Sequence, residues 1–183
     1  QISIGEGLSS ALLAQVQHGR LDAALVYDTQ SWPDVTIEPL LTEALVLVTK
    51  RLPGLTLDPP PPPVSLTVIA LTPMVIPRRP NAIRQAVEQR LANAGHTLKV
   101  ALEVDGVAAI LDLVLDGAGA ALLPPYAVSR SIRPSDFVTQ RIAHNALDLP
   151  VLMATSARRP ITPTQTAVLA LVRDTADAVL GDD

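Results

Sequence analysis

His18, His96 and His144 are the only side chains in this sequence poised to take a proton near neutral pH. Nucleophilic catalysis would need one of them beside a nucleophile, with a carboxylate to orient it, and none lies next to a nucleophile motif. His18 and His96 each adjoin a glycine that ends a helical run, Gly19 and Gly95. There an imidazole meets the last carbonyls and the negative end of the helix dipole, so both are expected to be caps. His144 stands beside Asn145 in a polar loop with no second histidine at ligand spacing, and no metal site is expected. The absence of cysteine excludes thiol nucleophiles, disulfides and cysteine-held zinc or iron–sulfur centres. Gly5-Glu6-Gly7 and Gly117-Ala118-Gly119 are too short for a dinucleotide fingerprint, and no cofactor is expected. Glu103 and Asp105 have a spacing that could serve acid–base chemistry, but they lie at a strand end, where Asp105 is better read as a helix N-cap. No acid, base and nucleophile converge, so the chain is not expected to be an enzyme.

What remains is a set of helix N-termini. Ser9 or Ser10, Asn81 and Asp105 each follow an expected strand and open an expected helix. Loops at the carboxyl ends of strands line the ligand crevice of an α/β sheet, and helix N-termini there offer free N–H groups and partial positive charge. A small carboxylate would suit them. Arg78, Arg79 and Arg84 stand close by in sequence and could pair with an anion or remain solvated.

The elements that would position these residues follow from the apolar pattern. The 183 residues are 48% hydrophobic, 17% charged and 2% aromatic. Such a chain buries an aliphatic core without disulfide or metal support, is not disordered, and has no aromatic surface on which bases could stack. Net charge −4 is opposite in sign to that of a phosphate-gripping domain. No apolar run approaches the length of a membrane span. Gln1 to Ile4 alternates like a strand end and Leu8 to Val16 is helical, with Leu12, Leu13 and Val16 as its apolar face. Ala23 to Tyr27 is a buried strand, completing a βαβ unit. Val35 to Leu40 and Leu45 to Thr49 are strands leaving that sheet. Pro59 to Pro63 is an extended connector. Strand Met74 to Ile76, turn Pro77 to Asn81 and a helix on Ile83, Val87 and Leu91 lead to strand Leu98 to Val104, in a second βαβ rhythm. Helix Val107 to Leu115, strand Ala120 to Leu123, and strands Phe137 to Ile142 and Leu149 to Ala154 follow. Thr162 caps a last helix with apolar positions Val168, Leu169, Val172 and Val179.

The run EGLSSALLAQVQHGRLDAALVYD (Glu6 to Asp28), then EPLLTEALVLVT, then EVDGVAAILDLVLDGAGAALLPPYAV (Glu103 to Val128) resembles, in order and spacing, the effector-binding domain of LysR-type transcriptional regulators. PRRPNAIR (Pro77 to Arg84) is similar to a form seen in the nitrogen-assimilation-control branch. The resemblance implies an α/β, two-lobe fold of the periplasmic-binding-protein type II class with two crossover strands. Lobe 1 is expected over 1–45 plus 152–183 and lobe 2 over 46–151, with an effector held between them. It carries effector contacts onto Ser9, Ser10 and Tyr27 in the first lobe, and onto Pro77, Arg78, Pro80, Asn81, Asp105, Gly106 and Val107 in the second. It also implies a cytoplasmic homodimer or homotetramer that meets DNA only through an N-terminal winged helix-turn-helix. Neither that domain nor the family's first βα unit is seen in this sequence, so Leu12, Val16 and Ala24 are expected to expose apolar surface. A solute-binding protein of a transport system shares the architecture and is the alternative.

Overall fold

The computed structural model describes residues 2–27, 30–54, 56–158 and 160–180, the last four by backbone alone. In chain order the first elements are α1 (Ser9–Gln17), β1 (Ala23–Val26), β2 (Val35–Ala44), β3 (Val46–Lys50), α2 (Leu66–Leu71), β4 (Met74–Ile76), α3 (Ala82–Asn93) and β5 (Val100–Glu103). After them come α4 (Val107–Leu115), β6 (Ala121–Leu123), α5 (Pro125–Ser129), β7 (Phe137–Arg141), β8 (Asp148–Ser156) and α6 (Pro163–Leu180). The chain divides into two compact units, Gln1–Glu43 with Leu149–Asp183, and Ala44–Asp148. It passes from one to the other twice, at the end of β2 and the start of β8.

The first unit is built on a sheet of order β1-β8-β2, with β1 antiparallel to β8 and Val26 opposite Leu152. Leu13 and Val16, three apart on α1, share one helical face and pack with Ala24, Val26, Leu152 and Ala154. The expected exposure of Leu12, Val16 and Ala24 is therefore wrong. Val16 and Ala24 are buried and Leu12 is half-buried, because β8 supplies the covering side chains. Among the described residues of this unit, the exposed large apolar side chains are instead Ile2, Ile4, Leu8, Leu25, Ile161 and Leu171. The strand expected at Gln1 to Ile4 does not form either: residues 2–8 have no regular structure, no described strand pairs with them, and Gln1 lies outside the described residues. α6 begins with a reciprocal capping box. Thr162 Oγ1 accepts from the Gln165 amide at 3.2 Å and Gln165 Oε1 accepts from the Thr162 amide at 2.8 Å. Gln165 to Asp22 and Arg173 to Glu38 fasten the helix. Val168, Leu169 and Val172 are half-buried, and the side chain of Val179 lies outside the described residues.

In the second unit β3 is central, antiparallel to both β6 and β7. β4 and β5 run parallel, joined through α3, which is the βαβ rhythm expected for this segment. A parallel bridge from Met74 to Ala120, with Val75 N donating to Ala120 O at 2.7 Å, ties β4 to the chain entering β6. Gly119 permits that approach: a Cβ there would lie 2.6 Å from the Pro73 carbonyl oxygen. Ile110, Leu111 and Val114 of α4 close the core over Val46, Val48, Val75, Ala121 and Leu123. Two short helices escape the sequence pattern. α2 is capped by Ser65, and α5 has Pro125 in its first turn, where a missing N–H costs nothing. Residues 59–63 carry neither helix nor strand, as expected of a proline connector.

Candidate functional site

Each unit brings part of the expected site together. In the second, β4 and β5 end side by side, with Ile76 opposite Glu103 and the Ile76 carbonyl accepting from Val104 N at 3.0 Å. The chain then opens α3 after one strand and α4 after the other, so Pro77 to Asn81 and Asp105 to Val107 are neighbouring corners. Asn81 is the N-cap of α3, its Oδ1 accepting from Arg84 N at 3.0 Å.

Asp105 is not the cap of α4. Gly106 holds that place with no side-chain bond and φ +96°, a left-handed backbone that glycine adopts without strain. The Asp105 carboxylate reaches across to the other corner. It accepts from the Arg78 amide at 3.1 Å, from Arg78 Nε at 2.8 Å and from Arg78 Nη2 at 2.6 Å. These bonds hold its carboxyl below the usual range, chiefly through the guanidinium. The pair is open to solvent, with Arg78 67% and Asp105 51% exposed. Val107 is exposed on the first turn of α4, and Pro77 and Pro80 frame the α3 corner.

Beneath this corner lies a buried cation whose structural weight the sequence did not disclose. Arg84 is 7% exposed and donates to the Pro77 carbonyl at 2.9 Å, to Glu103 at 2.6 Å and to Glu88 at 2.9 Å. Burial disfavours its charge, but the two carboxylates outweigh burial and raise its pKa. Arg79 pairs with Glu88 at 2.7 Å. All three arginines named as possible anion partners are thus matched by three carboxylates, Asp105, Glu88 and Glu103. An incoming anion would meet helix N–H groups or displace Asp105 from Arg78.

In the first unit Ser9 does not cap α1. The N-cap is Leu8, with no side-chain bond, and Ser9 Oγ accepts from the Tyr27 amide at 3.2 Å, fastening the start of α1 to the end of β1. Ser10 is half-buried beside it. The Tyr27 hydroxyl donates to Glu43 Oε2. Burial pushes the Glu43 carboxyl above the ordinary range and the Tyr27 bond pulls it partly back. Glu43 is absent from the expected site, although a lone charge entering the run ALVLV was a signal that could have marked it. Of the histidines, His18 caps α1 through Nδ1 and Ala14 O at 2.6 Å, and His96 Nε2 bonds Thr67 Oγ1 at 3.1 Å. No group of three histidine, aspartate or glutamate side chains among the described residues could hold a metal ion.

In the second unit neighbouring strand ends open α3 and α4, and comparison with known proteins gives the family. The LysR substrate binding domain family matches residues 1–177. The chain belongs to that family. The LysR domain described here is 29% identical over 169 residues to the nitrogen assimilation regulatory protein nac of Klebsiella aerogenes, covering 92% of this chain and 52% of that protein. It spans about half the length of the curated relatives it matches. The regulatory domain of CcmR from Synechocystis PCC6803, solved with 2-PG, superposes with a TM-score of 0.78 at 16% identity, over 94% of this chain and 81% of that one. The effector-binding domain of QuiR, solved with shikimate, does so at 0.75 and 16%, over 95% and 80%. These likenesses give the LysR domain the type II periplasmic-binding-protein-like fold. The family matched is a substrate binding domain, and the relatives include a transcriptional regulator and a nitrogen assimilation regulator. No described helix is long and apolar enough to cross a membrane.

Proposed function

We propose that this LysR domain senses a small anionic metabolite through Ser9, Ser10 and Tyr27 of the first unit and Pro77 to Asn81 with Asp105 to Val107 of the second. It passes that binding to an attached DNA-binding domain within a cytoplasmic homo-oligomer. The observation that carries the reading is the pairing of β4 and β5, which sets the N-termini of α3 and α4 at adjacent corners. Backbone N–H groups in the first turn of a helix favour an anion. The QuiR domain was solved with shikimate, a hydroxylated carboxylate, and ligands of that chemistry suit such corners. The chain's charge of −4 leaves DNA contact to the attached domain.

An effector shifts a two-state protein only by its differential affinity, about 1 to 3 kcal/mol of coupling, and micromolar binding of about 8 kcal/mol is ample. The test is calorimetry on a panel of hydroxylated, aromatic and phosphorylated carboxylates, repeated on Arg78→Ala and Val107→Glu. Both substitutions lie on exposed side chains that leave the core intact. Binding that weakens at least tenfold in both variants supports the site. A ligand bound equally well by all three proteins places it elsewhere.

A further inference from the structure

Among its described residues, the first unit holds one buried charge-bearing group that effector capture does not by itself explain. Glu43 is 5% exposed, and among the described residues no ion pair reaches it. α1 and β1 carry no ionisable side chain, β8 carries Asp148 at its first position, and the Arg173 guanidinium of α6 is paired with Glu38 on β2 at 2.6 Å. Lys50 lies at the far end of β3. The bonded partner is Tyr27, whose hydroxyl donates to Glu43 and whose amide donates to Ser9 Oγ. Carboxyl, phenol and hydroxyl residue thus form one chain, from the protected end of β2 to the first residue of α1.

A phenol has one proton to give. While Glu43 is ionised, that proton is committed to its carboxylate. When Glu43 takes a proton from solvent, its own O–H donates to the phenol oxygen and the bond reverses, leaving the phenol proton for another acceptor. No covalent bond changes other than the new O–H on Glu43. We propose that Glu43 is the polarity switch of the first-unit loop: ionised, it holds the Tyr27 proton; protonated, it releases that proton toward an anion, so that anion capture beside Tyr27 takes up one proton. The capture half rests on Tyr27 being an effector contact, whereas the switch does not. Desolvation moves the exchange toward neutral pH compared with an exposed carboxyl.

The experiment uses the whole chain, with Tyr126→Phe leaving Tyr27 as its only tyrosine. Carbon-13 NMR follows Tyr27 Cζ and the Glu43 carboxyl from pH 4 to 8 without ligand. The two signals are expected to titrate together, with a midpoint above those of the exposed carboxyls, and Glu43→Gln should remove the Tyr27 step. A flat Tyr27 signal, or a step that survives Glu43→Gln, overturns the switch. Should Glu43→Gln fail to fold, Tyr27→Phe must raise the Glu43 midpoint, and an unchanged midpoint overturns the switch equally. Benzoate and inorganic phosphate are then added. Where either perturbs Tyr27, the Glu43 midpoint should rise, and affinity should fall by up to about tenfold per pH unit above it, the limit for one linked proton. A perturbed Tyr27 with an unmoved Glu43 midpoint overturns the coupling. Probes that bind without touching Tyr27 count against the proposed effector contact and leave the switch standing.

Discussion

Replacing Arg84 by Met keeps the length and apolar stem of a buried side chain while removing the charge that binds three parts of the second unit. Truncating one partner of a fully buried charge pair costs about 3 to 5 kcal/mol, because the other charge is stranded. Here the stranding is partial. Glu103 is 45% exposed and regains water, and Glu88 is 21% exposed and keeps Arg79 at 2.7 Å. The Pro77 carbonyl, half-buried at the α3 corner, loses its 2.9 Å donor. Discounting the exposed side toward the value of a surface pair leaves a loss of about 2 kcal/mol, or about 4 to 8 °C in Tm for a chain of this size. Urea unfolding followed by circular dichroism measures it. Arg84→Lys should recover only part, since an ammonium cannot span the same fork of acceptors. Because the cation is buried, molar salt should not erase the difference between Arg and Met. An Arg84→Met protein within about 0.5 kcal/mol of the parent would refute the premise that this network holds the corners in place.

Gly119→Ala forces a methyl against the Pro73 carbonyl at 2.6 Å and should cost about 1 to 3 kcal/mol in the same urea assay. Asn81→Ala removes the α3 cap and should cost about 1 kcal/mol, while the neighbouring exposed substitution Arg79→Ala should cost less. For Glu43 the sign follows from a folded-state pKa raised above the unfolded value. The folded chain binds the proton more tightly, so this contribution to stability is complete below the unfolded pKa and is lost as pH rises through the folded one. Thermal unfolding at a series of pH values should therefore show Glu43→Gln gaining on the parent as pH increases, and parallel curves would contradict it.

Helical faces were the most legible part of the molecule. Val87 and Leu91 of α3, and Ile110, Leu111 and Val114 of α4, are buried as their spacing requires. An apolar run such as Leu149 to Ala154 announces a strand but not its neighbours. That β8 lies between β1 and β2, and thereby buries Val16 and Ala24, depends on pairing across more than a hundred residues. α2 and α5 are too short to show a period. At the corners, the sequence marked polar residues near helix starts and misread some of their bonds. A polar residue at the start of a helix can cap that helix or bond elsewhere, and the choice depends on what stands opposite. Asn81 bonds three residues ahead. Asp105 turns to Arg78, 27 residues away, and Ser9 to Tyr27, 18 residues away. Arg84 and Glu43 stayed hidden because burial of a charge is decided by packing, which local pattern does not report.

The strand order β1-β8-β2 also bears on how the polypeptide is made. When β2 leaves the ribosome, the partner that must sit beside it is still roughly 100 residues from being translated, about 5 to 20 s at ordinary elongation rates. The stretch Ala44–Asp148, contiguous in the gene, can complete its own sheets during that wait. The flanking half cannot, and until β8 emerges β1 and β2 remain as nascent edges for a chaperone to shield.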